Sequence, residues 1–442
     1  MTPTPAQPII KRCTDPKPFP GLTTKPPCEA CERIVAPHQQ APTVPPPLLM
    51  FTRGRRRALD TQRHFCPNHE CAYYGWVGRG NIRANGHPGG ARWRQLQCVV
   101  CHTYFQETHG TPMHGTRVSP ELLVWTVSAL AEGLGIRAVT RVFEVDPNTV
   151  LHWLIEAADH AAAFSCYLLH DVQVSQVQLD ELFALLSAVK AGAVSDTQAI
   201  ERLSRVPHWV WVAIDPVSKV LLSIEAGDRT LAMAQRLVHE VVRVLAPDCV
   251  PLFLTDGLKN YAMALLTHFG QWVQPSRQQA KGPVPKPRWM PRPQLLYAQV
   301  VKSYRRRRVV RARHRVVFGT VASVNRGLAA TGWQINTAFI ERANLTIRQH
   351  VAAVGRRVMT ICKGEVGLQQ QLALYHVYYN FCLPHASLRQ PMLRPVPTNG
   401  RGSAKRWRPC TPAMAAGLTD HVWTLREVLL LRVPPWPQPQ VL

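Results

Sequence analysis

The spacing of apolar residues changes along the chain. From Pro120 to about residue 165, apolar residues recur every three or four positions, which is the period of amphipathic helices. From about residue 172, short apolar runs bounded by turn residues predict β-strands arranged around a further helix. The pattern therefore predicts an α/β multidomain protein in which a helical module precedes a sheet.

The helical module is predicted to contain three helices. Ser119 and Pro120 have the residue types of an N-cap and a first helical position, and Asp146 and Pro147 repeat that signal. A short helix from Ile136 to Phe143 lies between the other two. The predicted buried stripes are Leu122, Leu123, Thr126 and Leu130 on the first helix, and Val150, Leu151, Leu154, Ile155 and Ala158 on the third.

The last two helices and the turn between them match a helix-turn-helix, whose second helix reaches base edges with its N-terminal end. The alternative is an ordinary three-helix bundle. In a strongly basic chain we favour DNA contact. The candidate base-reading residues are Asn148, Thr149, His152 and Trp153.

The second region contains the elements of a sheet. Strands are predicted at 177–180, 209–214, 220–224 and 250–254, with a helix at 231–245 before the last of them. Three strands, a helix and a parallel fourth strand form the core of a ribonuclease H-like fold. In that order Asp180 and Asp256 end neighbouring strands. Further strands are predicted at 297–301 and 316–318.

Three acids lie in apolar surroundings although acids are scarce, with 27 Asp and Glu against 52 Lys and Arg. Asp180 and Asp256 end apolar runs, and Glu341 borders a helical stripe formed by Ile340, Ala343, Ile347, Val351 and Val354. Each acid alone could be a solvated surface charge. Burying a carboxylate is costly unless a counter-charge such as a metal pairs with it. Together they predict a site for two divalent cations, as in-line phosphoryl transfer on DNA requires.

The net charge of +25 over 442 residues favours a polyanionic partner, and basic residues recur throughout the chain. We expect double-stranded DNA rather than a membrane, because no uncharged apolar run approaches the length of a bilayer span. The N-terminus has no apolar signal-peptide core. We therefore expect a cytoplasmic, nucleoid-associated protein.

Several basic residues are candidates for phosphate contact. The run Arg305, Arg306, Arg307 and Arg308 could be a solvated face or a DNA-facing loop beside the acids. Arg348 follows Glu341 by two helical turns and projects from the same side. A proline-rich N-terminal arm ends in a further basic run, Arg53, Arg55, Arg56 and Arg57.

Four cysteines have the spacing of a zinc ribbon. Four residues separate Cys66 from Cys71, two separate Cys98 from Cys101, and 26 lie between the pairs. Free thiols are the alternative, and His64, His69 or His102 could replace a cysteine as ligand. A second site from Cys13, Cys28, Cys31 and His38 is weaker, and there we favour free thiols in a disordered arm.

The predicted organisation has five parts. They are a proline-rich basic disordered arm at 1–60, a zinc-binding ribbon at 61–113, a helix-turn-helix at 116–165, a catalytic domain at 172–388 and a proline-rich basic C-terminal tail at 389–442. An apolar patch in the tail, including Trp423, Val428 and Leu429, could pack on the catalytic domain or mediate pairing between subunits.

The motifs carry a family resemblance. They are Gln-Leu-Asp-Glu at 178–181, Leu-Thr-Asp-Gly at 254–257, Ile-Glu-Arg-Ala-Asn-Leu-Thr-Ile-Arg-Gln-His at 340–350 and Tyr-Tyr-Asn-Phe-Cys-Leu-Pro-His-Ala-Ser-Leu at 378–388. In this order, after a zinc ribbon and a helix-turn-helix, they resemble bacterial insertion-sequence transposases of the insertion-sequence-one type. The resemblance covers roughly residues 64 to 390.

The resemblance implies a ribonuclease H-like fold, a D-D-E triad of Asp180, Asp256 and Glu341, and Mg²⁺ or Mn²⁺ at that triad. It implies binding of terminal inverted repeats, strand cleavage and strand transfer. Asp180 and Asp256 would hold one ion beside the attacking oxygen, and Asp180 and Glu341 the other beside the leaving oxygen. Joining two DNA ends implies a dimer or larger assembly. The alternatives are an inactive, transposase-derived DNA-binding regulator and a ribonuclease H-like nuclease.

Overall fold

The computed structural model describes residues 60–187, 205–277, 284–306, 308–355, 362–397 and 402–438. The predicted N-terminal arm, with Cys13, Cys28, Cys31, His38 and its arginine run, lies outside the described residues except for its last position. Arg307 also lies outside them.

A small antiparallel sheet begins the described chain. Its strands, in the order β1-β2-β3, are β1 (Ile82–Ala84), β2 (Gln95–Cys98) and β3 (Tyr104–Gln106). Ile82, Leu96 and Phe105 form a core with the buried Cys66 and Cys98. So few apolar side chains bury little surface, which is why such a unit depends on a further crosslink.

Three helices follow, α1 (Pro120–Ala131), α2 (Ile136–Phe143) and α3 (Pro147–Leu168), which confirms the predicted helices. The Ser119 hydroxyl accepts a hydrogen bond from Leu122 N, and the Asp146 carboxylate accepts bonds from Asn148 N and Thr149 N. These caps satisfy amide groups that have no partner within the helix.

The predicted stripe of α3 is partly wrong. Leu151 is 40% exposed, whereas Trp153 is 4% exposed and packs with Leu123 and Leu154. The buried face of α3 is set by the helices that it contacts on both sides along its 22 residues, which a single-helix pattern does not contain.

The next region contains a larger sheet. Its elements, in chain order, are β4 (Gln176–Ser187), β5 (Arg205–Ile214), β6 (Leu221–Gly227), α4 (Leu231–Val244), β7 (Leu252–Thr255), α5 (Asn260–Phe269), β8 (Gly270–Val273), β9 (Arg288–Pro291), β10 (Leu296–Arg305) and β11 (Arg308–Phe318). The sheet has six strands in the order β11-β10-β7-β4-β5-β6. β4, β7 and β10 are parallel, and β5, β6 and β11 are antiparallel to their neighbours.

The predicted order of three antiparallel strands, a helix and a parallel fourth strand is confirmed. Three more helices follow, α6 (Val321–Ala329), α7 (Ala338–His350) and α8 (Glu365–Val377). α4 and α5 cover one face of the sheet, where Leu237 packs near Trp211. α7 and α8 cover the other face, where Ile340 and Leu372 join the cluster of Val212. Both faces are buried, which accounts for the continuous apolar run from Trp209 to Ile214 in β5.

The segment predicted as a C-terminal tail contains β12 (Gln390–Val396), β13 (Lys405–Arg408), α9 (Pro412–Ala415) and α10 (Leu425–Leu430). Leu425 and Leu429 pack into the core of α1 and α3. The buried Arg432 donates a hydrogen bond to Phe65 O, and its guanidinium lies 4.5 Å from the ring centroid of Phe105. The segment therefore joins the helices to the small sheet. Within the described ranges, no helix combines the length and apolarity needed to span a bilayer.

Candidate active site

Asp180 and Asp256 lie side by side because of the register between β4 and β7. Leu179 is opposite Thr255 in that parallel pairing, so the two aspartates are the next residues on each chain. One carboxylate oxygen from each of Asp180, Glu181 and Asp256 lies within 4.8 Å of the others. The prediction that the two aspartates are neighbours is confirmed.

The prediction that Asp180 ends a strand is wrong. β4 continues to Ser187 because its antiparallel pairing with β5 extends to the Ser187–Arg205 pair. Only the pairing with β7 stops at Leu179. Asp180 therefore lies at the point of β4 where the pairing with β7 ends and the pairing with β5 continues.

The carboxylate of Asp180 accepts two hydrogen bonds and, in the described residues, has no Lys or Arg as an ion-pair partner. Its carboxylate accepts hydrogen bonds from Glu181 N at 2.9 Å and from Asn344 Nδ2 at 2.8 Å. Burial, followed by the negative charges of Asp256, Glu181 and Glu341, raises the pKa of Asp180 from 3.8 to about 7. Closely spaced carboxylate oxygens whose negative charges repel each other are a donor set that suits Mg²⁺ or Mn²⁺.

Glu181, the neighbour of Asp180 that the motif resemblance does not favour as the catalytic acid, belongs to the same acidic cluster. Its side chain is 1% exposed, and its carboxylate accepts hydrogen bonds from Arg229 Nε at 2.9 Å and from the Tyr261 hydroxyl at 3.1 Å. Burial and the charge of Asp256 raise its pKa, and Arg229 opposes that rise. A bonded guanidinium partner favours a structural role for Glu181.

Glu341 lies at the border of the cluster. Its side chain is 47% exposed, accepts a hydrogen bond from the Thr337 hydroxyl at 2.7 Å and forms an ion pair with Lys302 of β10. It is not among the acids whose oxygens lie within 4.8 Å of each other in the described chain. α7 is nevertheless tied to the cluster, because Asn344, one turn after Glu341, donates to Asp180.

Gln178 anchors α7 to β4. Its side-chain amide donates to Asn336 O at 3.0 Å, and its oxygen accepts from Ile340 N at 3.1 Å, both at the start of the helix. Gln178 is fully buried and lies two residues before Asp180, on the same side of the strand. The residue was missed from the sequence, although a glutamine inside an apolar strand is the signal that could have found it.

The four predicted cysteine ligands come together. One sulfur from each lies within 4.8 Å of the others, with Cys66 and Cys101 at 3.4 Å and Cys71 and Cys98 at 4.0 Å. A tetrahedral ion bound at about 2.3 Å to each sulfur would space them about 3.8 Å apart, so the cluster fits Zn²⁺. His64, His69 and His102 are outside this cluster.

The predicted base-reading residues lie on the first turns of α3. Asn148 and His152 are exposed and Thr149 is half-buried, and His152 lies 3.2 Å from a Glu156 carboxylate oxygen. The prediction that Trp153 contacts bases is wrong, because Trp153 is buried in the core of the helices.

The predicted phosphate-binding arginines lie in two places. Arg305, Arg306 and Arg308 are exposed around the turn between β10 and β11, and Arg348 is half-buried on α7.

The comparisons with known proteins come from solved structures alone. No protein-family model matches the chain. No curated protein matches it either. A crystal structure of the Mos1 strand transfer complex is similar over 34% of this chain and 55% of that chain, at 16% identity and a TM-score of 0.13.

A Mos1 transposase paired-end complex with the left transposon end is similar over 35% of this chain and 58% of that chain, at 15% identity and a TM-score of 0.14. The chain thus spans little more than half the length of these neighbours. TM-scores this low do not establish a shared fold, so the functional argument depends on the acidic site.

Proposed function

We propose that the chain is a DNA transposase that binds the terminal inverted repeats of its element and catalyses metal-dependent strand cleavage and strand transfer. Asp180, Asp256 and Glu341 would be its catalytic acids, on a ribonuclease H-like sheet. The register of β4 and β7, which puts the two aspartates side by side, is the observation that carries the proposal. The hydrogen bond from Asn344 to Asp180 supports a role for Glu341, because it ties the helix that bears Glu341 to the strand of Asp180.

Divalent cations at these acids would supply Lewis-acid stabilisation and an activated attacking oxygen, water or a DNA 3′-hydroxyl. The remaining tasks fall to the chain. Asp180 and Asp256 would bind and orient the cations, and Asn344 fixes the rotamer of Asp180. Gln178 keeps the helix of Glu341 at a constant distance from β4. Glu181, bonded to Arg229 and Tyr261, supports the strand from its other side.

The other regions would serve DNA binding. We propose that Cys66, Cys71, Cys98 and Cys101 hold Zn²⁺ and stabilise a ribbon at 61–113, since their sulfurs match tetrahedral spacing. The helices at 116–165 would form a helix-turn-helix that reads the repeats through Asn148, Thr149 and His152. Arg348 would contact phosphate near Glu341. Two ends must be joined together, so the active form would be a dimer or larger assembly.

The test uses the full chain with Mg²⁺ and DNA that carries the element's own terminal repeats. Asp180→Asn, Asp256→Asn and Glu341→Gln should each keep DNA binding and lose cleavage and joining, because each change removes a charge that holds a cation and preserves size. Glu240→Gln, on α4 and paired with Arg243, is the matched control and should keep both activities.

The outcomes separate three functions. Cleavage without joining by the wild type would favour a nuclease, and binding without cleavage a DNA-binding regulator. A Glu341→Gln protein that still joins strands would remove Glu341 from the triad.

A further inference from the structure

The segment between Asp256 and Glu341 has an extreme charge composition. It contains no Asp or Glu and 15 Lys and Arg. Eight of these lie between Lys302 and Arg315, in the hairpin of β10 and β11. Like charges on adjacent strands repel each other, so this concentration is unfavourable for folding unless a polyanion balances it.

The hairpin of β10 and β11 projects past the end of β7, next to the acidic cluster. β10 pairs with β7 only from Leu296 to Gln299, and Gln299 is opposite Thr255, the residue before Asp256. The pairing of β10 with β11 continues to Arg305 and Arg308. Six residues beyond Gln299 correspond to about 20 Å of strand. We name residues 300–315 the basic ribbon; its described part extends from the sheet beside the acidic cluster.

One face of the basic ribbon carries a row of arginines. Arg311 is opposite Ser303, Arg313 opposite Val301 and Arg315 opposite Gln299. Directly opposite residues of an antiparallel pair share a face. All three arginines are exposed, and in the described ranges none lies within ion-pair distance of a carboxylate.

That face is turned toward the loop after Asp256. Gln299 Nε2 donates to Leu258 O at 3.2 Å. A Cβ placed on Gly257 would lie 3.7 Å from Val301 Cγ2, so the ribbon packs closely against this loop. Lys302, on the opposite face, reaches Glu341. The arginine row therefore lies beside the loop that follows Asp256, on the face of the ribbon opposite to Lys302.

We propose that the row formed by Arg311, Arg313 and Arg315 binds the phosphate backbone of the DNA strand that passes the acidic site. The inference rests on the proposed function and adds a surface that the sequence did not identify. From Arg311 to Arg315 the row spans about 14 Å. Neighbouring arginines of the row are about 7 Å apart, so each can contact one phosphate, and the row accounts for three phosphate contacts. Phosphate contact carries no sequence information, so binding here is independent of sequence.

The test measures binding by fluorescence anisotropy to a random duplex, without divalent cations, over a series of salt concentrations. The variant is Arg311→Gln, Arg313→Gln and Arg315→Gln together. Loss of three phosphate contacts should raise Kd about tenfold or more and reduce the slope of log Kd against log salt by about 2.7. The control, Arg394→Gln, Arg406→Gln and Arg408→Gln, changes net charge equally on the separate β12–β13 sheet and should leave the slope within about one of the wild type.

A lysine triple at the same three positions keeps the charge and should restore the slope, which separates lost contact from misfolding. On DNA that carries the terminal repeat, ethylation interference should show about three phosphates on one strand whose ethylation weakens binding by the wild type and not by the glutamine variant. An equal loss in the control, or an unchanged slope in the glutamine variant, overturns the inference.

Because binding is measured without divalent metal, the two proposals fail separately. Wild-type protein that binds through the row but never cleaves DNA contradicts only the transposase function. If the acid variants lose cleavage but the arginine variant keeps the wild-type salt dependence, only the proposal for the basic ribbon is contradicted.

Discussion

Replacing Asp180 by asparagine should make the metal-free protein more stable. The carboxylate is largely buried beside Asp256 and Glu181, and within the described chain it has no Lys or Arg partner in an ion pair. Asparagine has the same shape and no charge. It therefore removes the repulsion while leaving the packing of β4 unchanged.

The size of the effect follows from the pKa of Asp180, which is raised from 3.8 in the unfolded chain to about 7 in the folded one. At about 1.4 kcal/mol per unit of pKa, ionising Asp180 costs the folded state about 4 kcal/mol when the pH is well above 7. The substitution also weakens the hydrogen bond from Asn344, which costs about 1–2 kcal/mol, so the free energy of unfolding should rise by about 2 kcal/mol in total.

The direction of the pKa shift of Asp180 determines how its effect on stability depends on pH. A folded pKa above the unfolded one means that the contribution of Asp180 to stability is fully present below pH 3.8 and is lost as the pH rises through about 7. The difference between Asp180→Asn and wild type should therefore grow from pH 4 to pH 7 and then level off, at about those values.

Urea unfolding at several pH values, with and without Mn²⁺, measures the effect. Mn²⁺ should stabilise the wild type above pH 7 or so and have little effect on Asp180→Asn, because the cation offsets the same repulsion. Asp159→Asn, exposed on α3, is the control and should behave as wild type. Equal stabilities of Asp180→Asn and wild type at every pH would refute the electrostatic account of the site.

Two further predictions concern the supports of the site and the small sheet. Cys98→Ser or Cys101→Ser should lower the zinc content of the purified protein and unfold the small sheet, since one thiolate of four is lost. Atomic absorption measures the zinc content. A wild-type protein without zinc would contradict the prediction. Gln178→Leu should destabilise the protein by about 2 kcal/mol in urea, because Ile340 N and Asn336 O lose a buried partner. An unchanged urea midpoint would show that Gln178 does not anchor α7.

Features with a local cause could be predicted from the sequence. Ser119 and Asp146 cap helices through amides only a few residues away, so their helix starts were visible in the residue types alone. Asp256 follows a short apolar strand whose end is marked by Gly257. The cysteine spacing similarly predicts a cluster, because each pair of ligands lies in one short segment.

Features set by distant partners could not be predicted. The length of β4 depends on its pairing with β5, a separate strand that begins at Arg205. Glu181 is neutralised by Arg229, 48 residues later, and no local pattern identifies that pair. Arg432 reaches Phe65 across 367 positions. The apolar patch in the C-terminal segment indicated that the segment packs, but nothing local identified the small sheet as its partner.

The charges around the acidic cluster indicate where a first cation would bind. Arg229 balances Glu181, and Lys302 balances Glu341. Asp180 and Asp256 have no such partner in the described residues, so the unbalanced negative charge is concentrated between them. A single divalent cation should therefore enter between the two aspartates, whereas a second one beside Glu341 must first displace Lys302.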